Sequence, residues 1–350
     1  MFSYTDYSLE AIEDVVRLRR RLDASGLPPR STDYNLLIGS WNIQAFGRLF
    51  PDWTENPGSP KRNLRGLALL AEIIRRFDVV AIQEVKRQTT ALRRLLDDFL
   101  GPAWAVILSD VTAGEEGNTE RFAFIYDTRR VRPSGLAGEI VLPPVEITVP
   151  SEDGEETVVR QPVEQFARTP YIVGFEAAGQ RFSLLTAHIK YGGGTDARLA
   201  EIRALAEYTA SEIRDRAEDG DVEVGSVIVL GDFNIDRRGD NPLFQAFLST
   251  GLFVPVPLRA LKTTYGTEPK HYDQLAWFMG AMELTFSGLA GVIDFVGAVF
   301  QELSARSMTF RVSDHFPLWA EFILDRSVAQ MAEKLGVDPA MPDPLSVVPD

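Results

Sequence analysis

Cysteine is absent from the 350 residues, which excludes a disulfide framework and thiolate chemistry and suits a reducing compartment. Histidine is scarce too, at three residues, His188, His271 and His315, so any imidazole chemistry must run through one of them. No long apolar run is present. The most apolar window, Leu284 to Phe300, is broken by Asp294, Gly288, Gly291 and Gly297 and falls short of a membrane span. The opening Met1-Phe2-Ser3-Tyr4-Thr5-Asp6 lacks the basic and apolar regions of a signal peptide. Positive charge is in deficit: 36 Lys and Arg stand against 50 Asp and Glu, a net charge of −14. Such a chain has no general attraction to nucleic acid or to anionic membranes, although it can still touch a few phosphates in one local groove. Its carboxylates are what a hard divalent cation needs. These features together predict a soluble, cytoplasmic protein without stable membrane association.

The chain reads as three parts: an N-terminal helical arm over 1–30, a catalytic domain over 31–325 and a C-terminal tail over 326–350. In the arm, residues 8–24 have helical spacing that places Leu9, Ile12, Val16 and Leu22 on one face, ended by Gly26-Leu27-Pro28-Pro29. Its Arg19-Arg20-Arg21 run reads as a solvated face. The middle part alternates. Strands are expected at 35–43, 78–82, 103–109, 121–127, 138–148, 156–163, 170–177, 181–188, 227–230, 273–279, 283–294, 308–312 and 317–324. Helices are expected at 61–76, 88–99 and 196–217. A strand, loop, helix, strand order occurs twice, once ending in Gln83-Glu84 and once in Gly231-Asp232-Phe233-Asn234. The echo predicts two similar sheets stacked face to face, helices outside, with strand ends converging on one edge.

Five strand-like runs end in polar residues: Ser40-Trp41-Asn42-Ile43-Gln44, Ala81-Ile82-Gln83-Glu84, Thr186-Ala187-His188, Gly231-Asp232-Phe233-Asn234 and Ser313-Asp314-His315-Phe316-Pro317. Burying an unpartnered carboxylate or amide costs several kcal/mol, roughly, so the recurrence predicts one shared site. Glu84 at a sheet rim suits magnesium, against the blander reading of a salt bridge to Lys86 or Arg87. His188 and His315 stand at such ends and can act as acid or base near neutrality; His271, beside Glu268-Pro269-Lys270, reads as a surface residue. Asp232 and Asn234 share a face if the backbone is extended, with Phe233 turned into the core; the alternative is a polar turn. Arg168, ahead of a strand, is placed to clamp a phosphate. Lys86, Arg121, Lys190 and Arg198 are weaker candidates.

In order, Trp41-Asn42-Ile43, Gln83-Glu84, Arg168-x-Pro170, His188, Gly231-Asp232-Phe233-Asn234, Tyr272-Asp273 and Ser313-Asp314-His315 resemble the endonuclease/exonuclease/phosphatase superfamily over about residues 35 to 325. The resemblance implies a four-layer α/β sandwich, with two stacked mixed β-sheets flanked by helices and the site at one end of both. Leu185-Thr186-Ala187-His188, Asp196-Ala197-Arg198-Leu199-Ala200-Glu201-Ile202 and Thr263-Thr264-Tyr265 point to the deoxyribonuclease I-like branch. The sequence departs from it at Asn118 and Lys86, where the branch has residues that grip duplex DNA. The implied chemistry is phosphodiester hydrolysis with Mg²⁺ or Mn²⁺ at Glu84, helped by Asn42 and Asp314, and with Arg168 and Lys86 on the phosphate. His315, held by Asp273, is the implied base and His188, held by Glu120, the implied acid. Asp232 and Asn234 position water and phosphate, or Asp232 is itself the base. The expected substrate is nucleic acid, DNA first. The alternatives are a phosphoinositide phosphatase, a sphingomyelinase-like phospholipase and an inactive binding module; no basic amphipathic face or exposed apolar hairpin favours a membrane substrate.

Overall fold

Alternating side-chain direction along the strands sorts the core into layers. The computed structural model describes residues 1–112, 119–150, 156–192, 194–218, 226–339 and 341–348; Asn118 and Gly193 lie outside the described residues. In chain order the elements are α1 (Leu9–Asp23), β1 (Asn35–Phe46), α2 (Leu64–Ile74), β2 (Val79–Lys86), α3 (Thr90–Arg94), β3 (Trp104–Leu108), β4 (Glu120–Asp127) and β5 (Arg132–Glu139). There follow β6 (Val145–Pro150), β7 (Glu156–Gln161), β8 (Tyr171–Ala177), β9 (Gln180–His188), α4 (Gly194–Glu218), β10 (Ser226–Asp232), α5 (Pro242–Leu248) and β11 (Leu252–Phe253). The chain ends with β12 (Asp273–Phe278), β13 (Thr285–Val292), α6 (Ala305–Thr309), β14 (Leu318–Ile323) and α7 (Ser327–Leu335).

Two six-stranded sheets form, ordered β13-β14-β1-β2-β4-β3 and β11-β12-β10-β9-β8-β5. Each has one parallel pair at its centre, β1 with β2 and β9 with β10, and antiparallel neighbours outside it. The helices α2 and α4 make the two parallel crossovers, so the echo in the sequence is a repeat of sheet topology. The expected four-layer α/β sandwich is the architecture. On β1, Leu36 and Ile38 join the core between the sheets, whereas Leu37, Trp41 and Ile43 join the layer under α1 and α2. On the far side Ile202 and Leu205 of α4 and Leu243 and Phe247 of α5 complete the inter-sheet core cluster. Burial of this kind contributes about 25 cal/mol per Å² of apolar surface.

Several boundaries differ from the sequence pattern. α1 buries Ala11, Val15, Leu18 and Leu22, not Leu9 or Val16, which are exposed. The face is turned by Asp14, which is buried and accepts from Arg65 Nε at 2.8 Å and from the Phe300 amide at 3.0 Å. Arg19, expected in solvent, donates to Glu72 at 2.7 Å. The strand expected over 138–148 is two strands, because Pro143-Pro144 has no amide hydrogen to pair. The strand expected over 308–312 does not form: Ala305–Thr309 is a helix capped by Ser304, and 310–312 is a turn. The unexpected α5 carries an Asn241 cap followed by Pro242, a start signal. Among the described residues β6 and β7 pair only with each other. Their hairpin exposes Val145 (50%) and Val158 (60%), contrary to the expectation that no exposed apolar hairpin exists.

Gly231 fixes how β10 delivers its last residue. Its φ is +134°, and a Cβ there would lie 2.1 Å from the Ala187 carbonyl oxygen on β9. Gly231→Ala is therefore expected to lower stability by at least about 2 kcal/mol in urea unfolding followed by circular dichroism. An unchanged midpoint would contradict the close approach.

Candidate active site

The face between the sheets changes character along each strand. On β1 it runs Leu36, Ile38, Ser40, Asn42, on β2 Val79, Ala81, Gln83, and on β4, read backwards, Tyr126, Phe124, Phe122, Glu120. On β9 it runs Phe182, Leu184, Thr186, His188, and on β10 Ile228, Leu230, Asp232. Buried polar groups need partners, and here they find them across the gap. Gln83 Nε2 donates to Thr186 Oγ1 at 2.9 Å, and Asn42 Nδ2 donates to Asp232 Oδ2 at 3.0 Å. His188 Nδ1, on the second sheet, lies 3.1 Å from Glu120 Oε2 on the first. His315, entering β14 of the first sheet, places Nδ1 2.7 Å from Asp273 Oδ2 on the second.

Asp232 stands between the two imidazoles. Its Oδ2 is 3.6 Å from His188 Nε2 and 3.8 Å from His315 Nε2. Burial raises the Asp232 pKa, but His315 and His188 outweigh it and hold the carboxyl below its usual range. Burial lowers both imidazoles; the carboxylates win. Asp273 and Asp232 raise His315 well above the ordinary histidine value, and Glu120 and Asp232 raise His188. Burial raises Glu120, yet His188, Arg168 and Lys86 bring it down to about 2. Asp273 is raised, by burial first.

Glu84 sits where the pairing of β2 with β4 slips, with φ +61°. Such a conformation costs about 1–3 kcal/mol and marks functional positions. Ala45, also left-handed, turns its amide onto Glu84 Oε2 at 2.8 Å, and Asn42 Nδ2 reaches Oε1 at 3.2 Å. Asp314 accepts from Gln44 Nε2 at 3.3 Å. Burial raises the Asp314 pKa, and the Glu84 and Asp232 carboxylates add to it. Asn42 Oδ1 is buried without a hydrogen-bond partner among the described residues. A hard divalent cation takes oxygen ligands and relieves carboxylate crowding, so Glu84, Asn42 and Asp314 fit one. Two further groups offer ligand atoms within 4.8 Å of one another: Glu84, Glu120 and His188, and Asp232, Asp273 and His315.

The other expected residues are placed as follows. Arg168 Nε and Lys86 Nζ bind the two oxygens of Glu120 at 2.7 and 2.8 Å, and Arg168 Nη1 is left buried and without a partner among the described residues. Lys86 therefore does not neutralise Glu84. Asn234 is not on extended backbone: its φ is +50°, its amide bonds Asp232 Oδ1 at 2.9 Å and its side chain bonds the Ile189 carbonyl at 2.7 Å. The polar turn and the site are the same feature. Phe233 is buried against Phe247. Arg198 secures this turn by donating to the Asn234 carbonyl at 2.9 Å; Lys190 pairs with Glu164. His271 is buried, bonded to the Leu261 carbonyl at 2.8 Å, and pushed down to about 4 by burial, so it is not a surface residue. The loop folds it inward beside Arg238.

Three supporting residues were not foreseen. Glu201 on α4 accepts from the amides of Ala167 at 2.6 Å and Lys190 at 2.9 Å, fixing the backbone beside Arg168 and His188. Ser313 Oγ donates to the Asn42 carbonyl at 2.6 Å and accepts from the His315 amide at 3.0 Å. Arg62, fully buried, donates to the carbonyls of Gln44 at 2.7 Å and Val312 at 3.1 Å. Burial lowers its pKa to about 10, against the pull of Glu84 and Asp314. The sequence signal for Arg62 and Glu201 was weak, since a lone charge near a helix start looks solvated.

Two stacked mixed sheets with paired histidines, carboxylates and amides at one end define the deoxyribonuclease I-like class of α/β sandwich. The chain belongs to the Endonuclease/Exonuclease/phosphatase family, whose model matches residues 39–296, a family of hydrolases acting on phosphoester bonds. A protein named deoxyribonuclease from Thioalkalivibrio sp. (strain K90mix) is 28% identical over 327 residues, covering 88% of this chain and 78% of that protein. Two solved structures share the fold. A functionally unknown conserved protein from Enterococcus faecalis V583 has TM-score 0.51 and 17% identity, with 82% of this chain and 99% of that one covered. The human Nocturnin catalytic domain with bound sulfate has TM-score 0.50 and 16% identity, with 82% and 94% covered. Among the described residues no helix is long and apolar enough to cross a membrane.

The Glu120–His188 pair makes two checkable statements. Glu120 at about 2 lies below the ordinary glutamate value of about 4.3, so its charge stabilises the fold above that value and the gain is lost as pH falls from about 4 toward 2. For His188 the sign is opposite: its contribution is present below about 6.5 and is lost as pH rises through the raised value. Glu120→Gln is expected to lower the His188 pKa in an NMR titration and to flatten the acid limb of stability. A His188 titration that does not move would break the assignment of this pair.

Proposed function

We propose that this chain is a metal-dependent phosphodiesterase that cleaves DNA as an endonuclease. The observation that carries the reading is Asp232 flanked by two histidines, each held by a carboxylate of the opposite sheet. A general acid, a general base and a positioning carboxylate on one phosphorus-sized spot are what in-line hydrolysis of a phosphodiester requires. The name of the Thioalkalivibrio relative supports DNA as the substrate.

Glu84, with Asn42 and Asp314, would hold Mg²⁺ or Mn²⁺, which supplies charge neutralisation on the phosphoryl oxygens. Arg168 turns its free Nη1 to the phosphate while Glu120 holds its Nε, and Lys86 stands beside it. His188 gives its proton to the leaving oxygen; the raised pKa keeps that proton present near neutrality. His315, oriented by Asp273, takes the proton of the attacking water. Asp232 and Asn234 orient water and phosphate.

A second assignment of the base follows from the electrostatics. His315 is raised well above the ordinary range while Asp232 is held ionised, which favours Asp232 as the proton acceptor. The pH–rate profile separates them: a His315 base gives an ascending limb above the ordinary imidazole range, an Asp232 base one in the acid range. The exposed valines of the β6–β7 hairpin favour a second substrate class, a phospholipid at a membrane surface.

His188→Ala and His315→Ala are each expected to lower kcat by about 10²–10⁴ on the cleaved substrate, and Glu84→Gln to raise the Mg²⁺ concentration needed for half-maximal rate. Near-full activity in both histidine variants would sink the scheme. Plasmid, single-stranded DNA, RNA, inositol phosphates and sphingomyelin vesicles, each with Mg²⁺, Mn²⁺ or chelator, decide the substrate: DNA cleavage is expected, and turnover of vesicles alone would replace it with the lipid reading.

A further inference from the structure

Beside the Glu84 end of the active centre lies a groove of about 430 Å³. Arg48, Lys61, Arg62, Lys86 and Arg87 line it, Phe310 forms part of its wall, and no carboxylate lines it among the described residues. This is unexpected on a chain of net charge −14. Lys86 is bound to Glu120. Three of the others use neutral acceptors among the described residues: Arg48 Nε binds Gln88 Oε1 at 2.7 Å, Lys61 Nζ binds the Asn56 carbonyl at 2.8 Å, and Arg62 binds carbonyls. Among the described residues no carboxylate lies within ion-pair distance of Arg48, Lys61, Arg62 or Arg87. Arg48, Lys61 and Arg87 therefore stand as cations without an ion-pair partner among the described residues, and an anionic ligand relieves the repulsion among them.

The groove is built, not incidental. Its outer wall is the segment 47–63, pinned by the Phe50 amide on the Arg62 carbonyl at 2.9 Å, by Asn63 Nδ2 on the Thr54 carbonyl at 3.0 Å, and by Arg311 Nε on Glu55 at 2.8 Å. Its inner end is Gln44 and Ala45, the residues that touch Asp314 and Glu84. Phe310 stands 50% exposed, an aromatic face beside cations. Cations tracking a groove with an aromatic platform are how a single nucleic-acid strand is held without base readout. One phosphate needs far fewer charges, and the centre already offers Arg168 for it.

We propose that this groove seats the nucleotides flanking the scissile phosphodiester on one side, with backbone phosphates against Arg48, Lys61 and Arg87 and a base stacked on Phe310. The assignment rests on the reading of the active centre as a nucleic-acid phosphodiesterase. The test compares kcat/KM for a single-stranded DNA oligomer of about 20 nucleotides with that for bis(p-nitrophenyl) phosphate, which is too small to occupy the groove. In the Arg48→Ala/Arg87→Ala double variant, in Lys61→Ala and in Phe310→Ala, the ratio of the two is expected to fall about tenfold or more. The salt dependence of oligomer cleavage should flatten by about 0.7 in log–log slope per phosphate contact removed. An unchanged ratio and slope in an enzyme that cuts the oligomer would overturn the groove alone. A wild-type enzyme that turns over the small diester but no DNA or RNA oligomer would overturn the nucleic-acid reading and the groove with it. So would groove variants that lose inositol polyphosphate turnover in place of oligomer cleavage.

Discussion

The stacking of the two sheets is the interaction on which everything else depends. It is apolar through most of its depth and polar only at the rim, and the rim works because four of its polar groups meet partners from the other sheet. Gln83 needs Thr186, Asn42 needs Asp232, His188 needs Glu120 and His315 needs Asp273. A register slip of one residue would turn each strand's inward face outward and leave four buried polar groups alone, at about 1–3 kcal/mol each. The site is thus also a registration device, and it could not be softened without loosening the stack.

Electrostatics then decide what those groups can do. Desolvation alone would neutralise the buried histidines and carboxylates. The alternation of sign through Arg168, Glu120, His188, Asp232, His315 and Asp273 opposes it, holding Glu120 and Asp232 ionised and raising both imidazoles. Buried pairs of this sort contribute less to stability than their geometry suggests, because desolvation consumes much of the attraction. Their value is that charge is fixed in place before the substrate arrives. Asp314 is the exception. It has Gln44 for a partner but crowds Glu84 and Asp232, an environment that a hard divalent cation would relieve.

Legibility in the sequence followed the same division. The doubled strand–helix–strand order was visible because period-two apolar runs and crossover lengths leave a direct trace, and it matches the sheet order. The rim residues stood out because polar endings violate the apolar pattern. Less was readable where two patterns compete. Asp14 carries a charge into the helical face, and the buried stripe of α1 lies about a third of a turn from the expected one. Asn234 looked like an extended-strand residue, yet its left-handed φ makes it a turn. Arg62 left no pattern in the sequence, and Glu201 stood in a quoted motif without its role being readable. Each acts on backbone groups distant in sequence, and only the folded chain brings Gln44 and Val312, or Ala167 and Lys190, within their reach.

The repeat is faithful in the strands and broken in the loops, and the break gives the site a direction. The segment after β1 runs over 47–63 before α2 begins, while the equivalent segment after β9 covers only 189–193 before α4. Both leave the rim from the same relative place in their sheets. One is long and anchored and carries Arg48, Lys61 and Arg62 beside Asp52 and Glu55; the other is short and glycine-bearing, with Lys190 alone charged. A symmetric centre with equal walls would treat the two sides of a diester alike. Under the nucleic-acid reading proposed above, the cations on the β1 side would hold a chain of phosphates there. The strand tips would then set the chemistry at phosphorus, and the unequal loops which way a polymeric substrate lies across it.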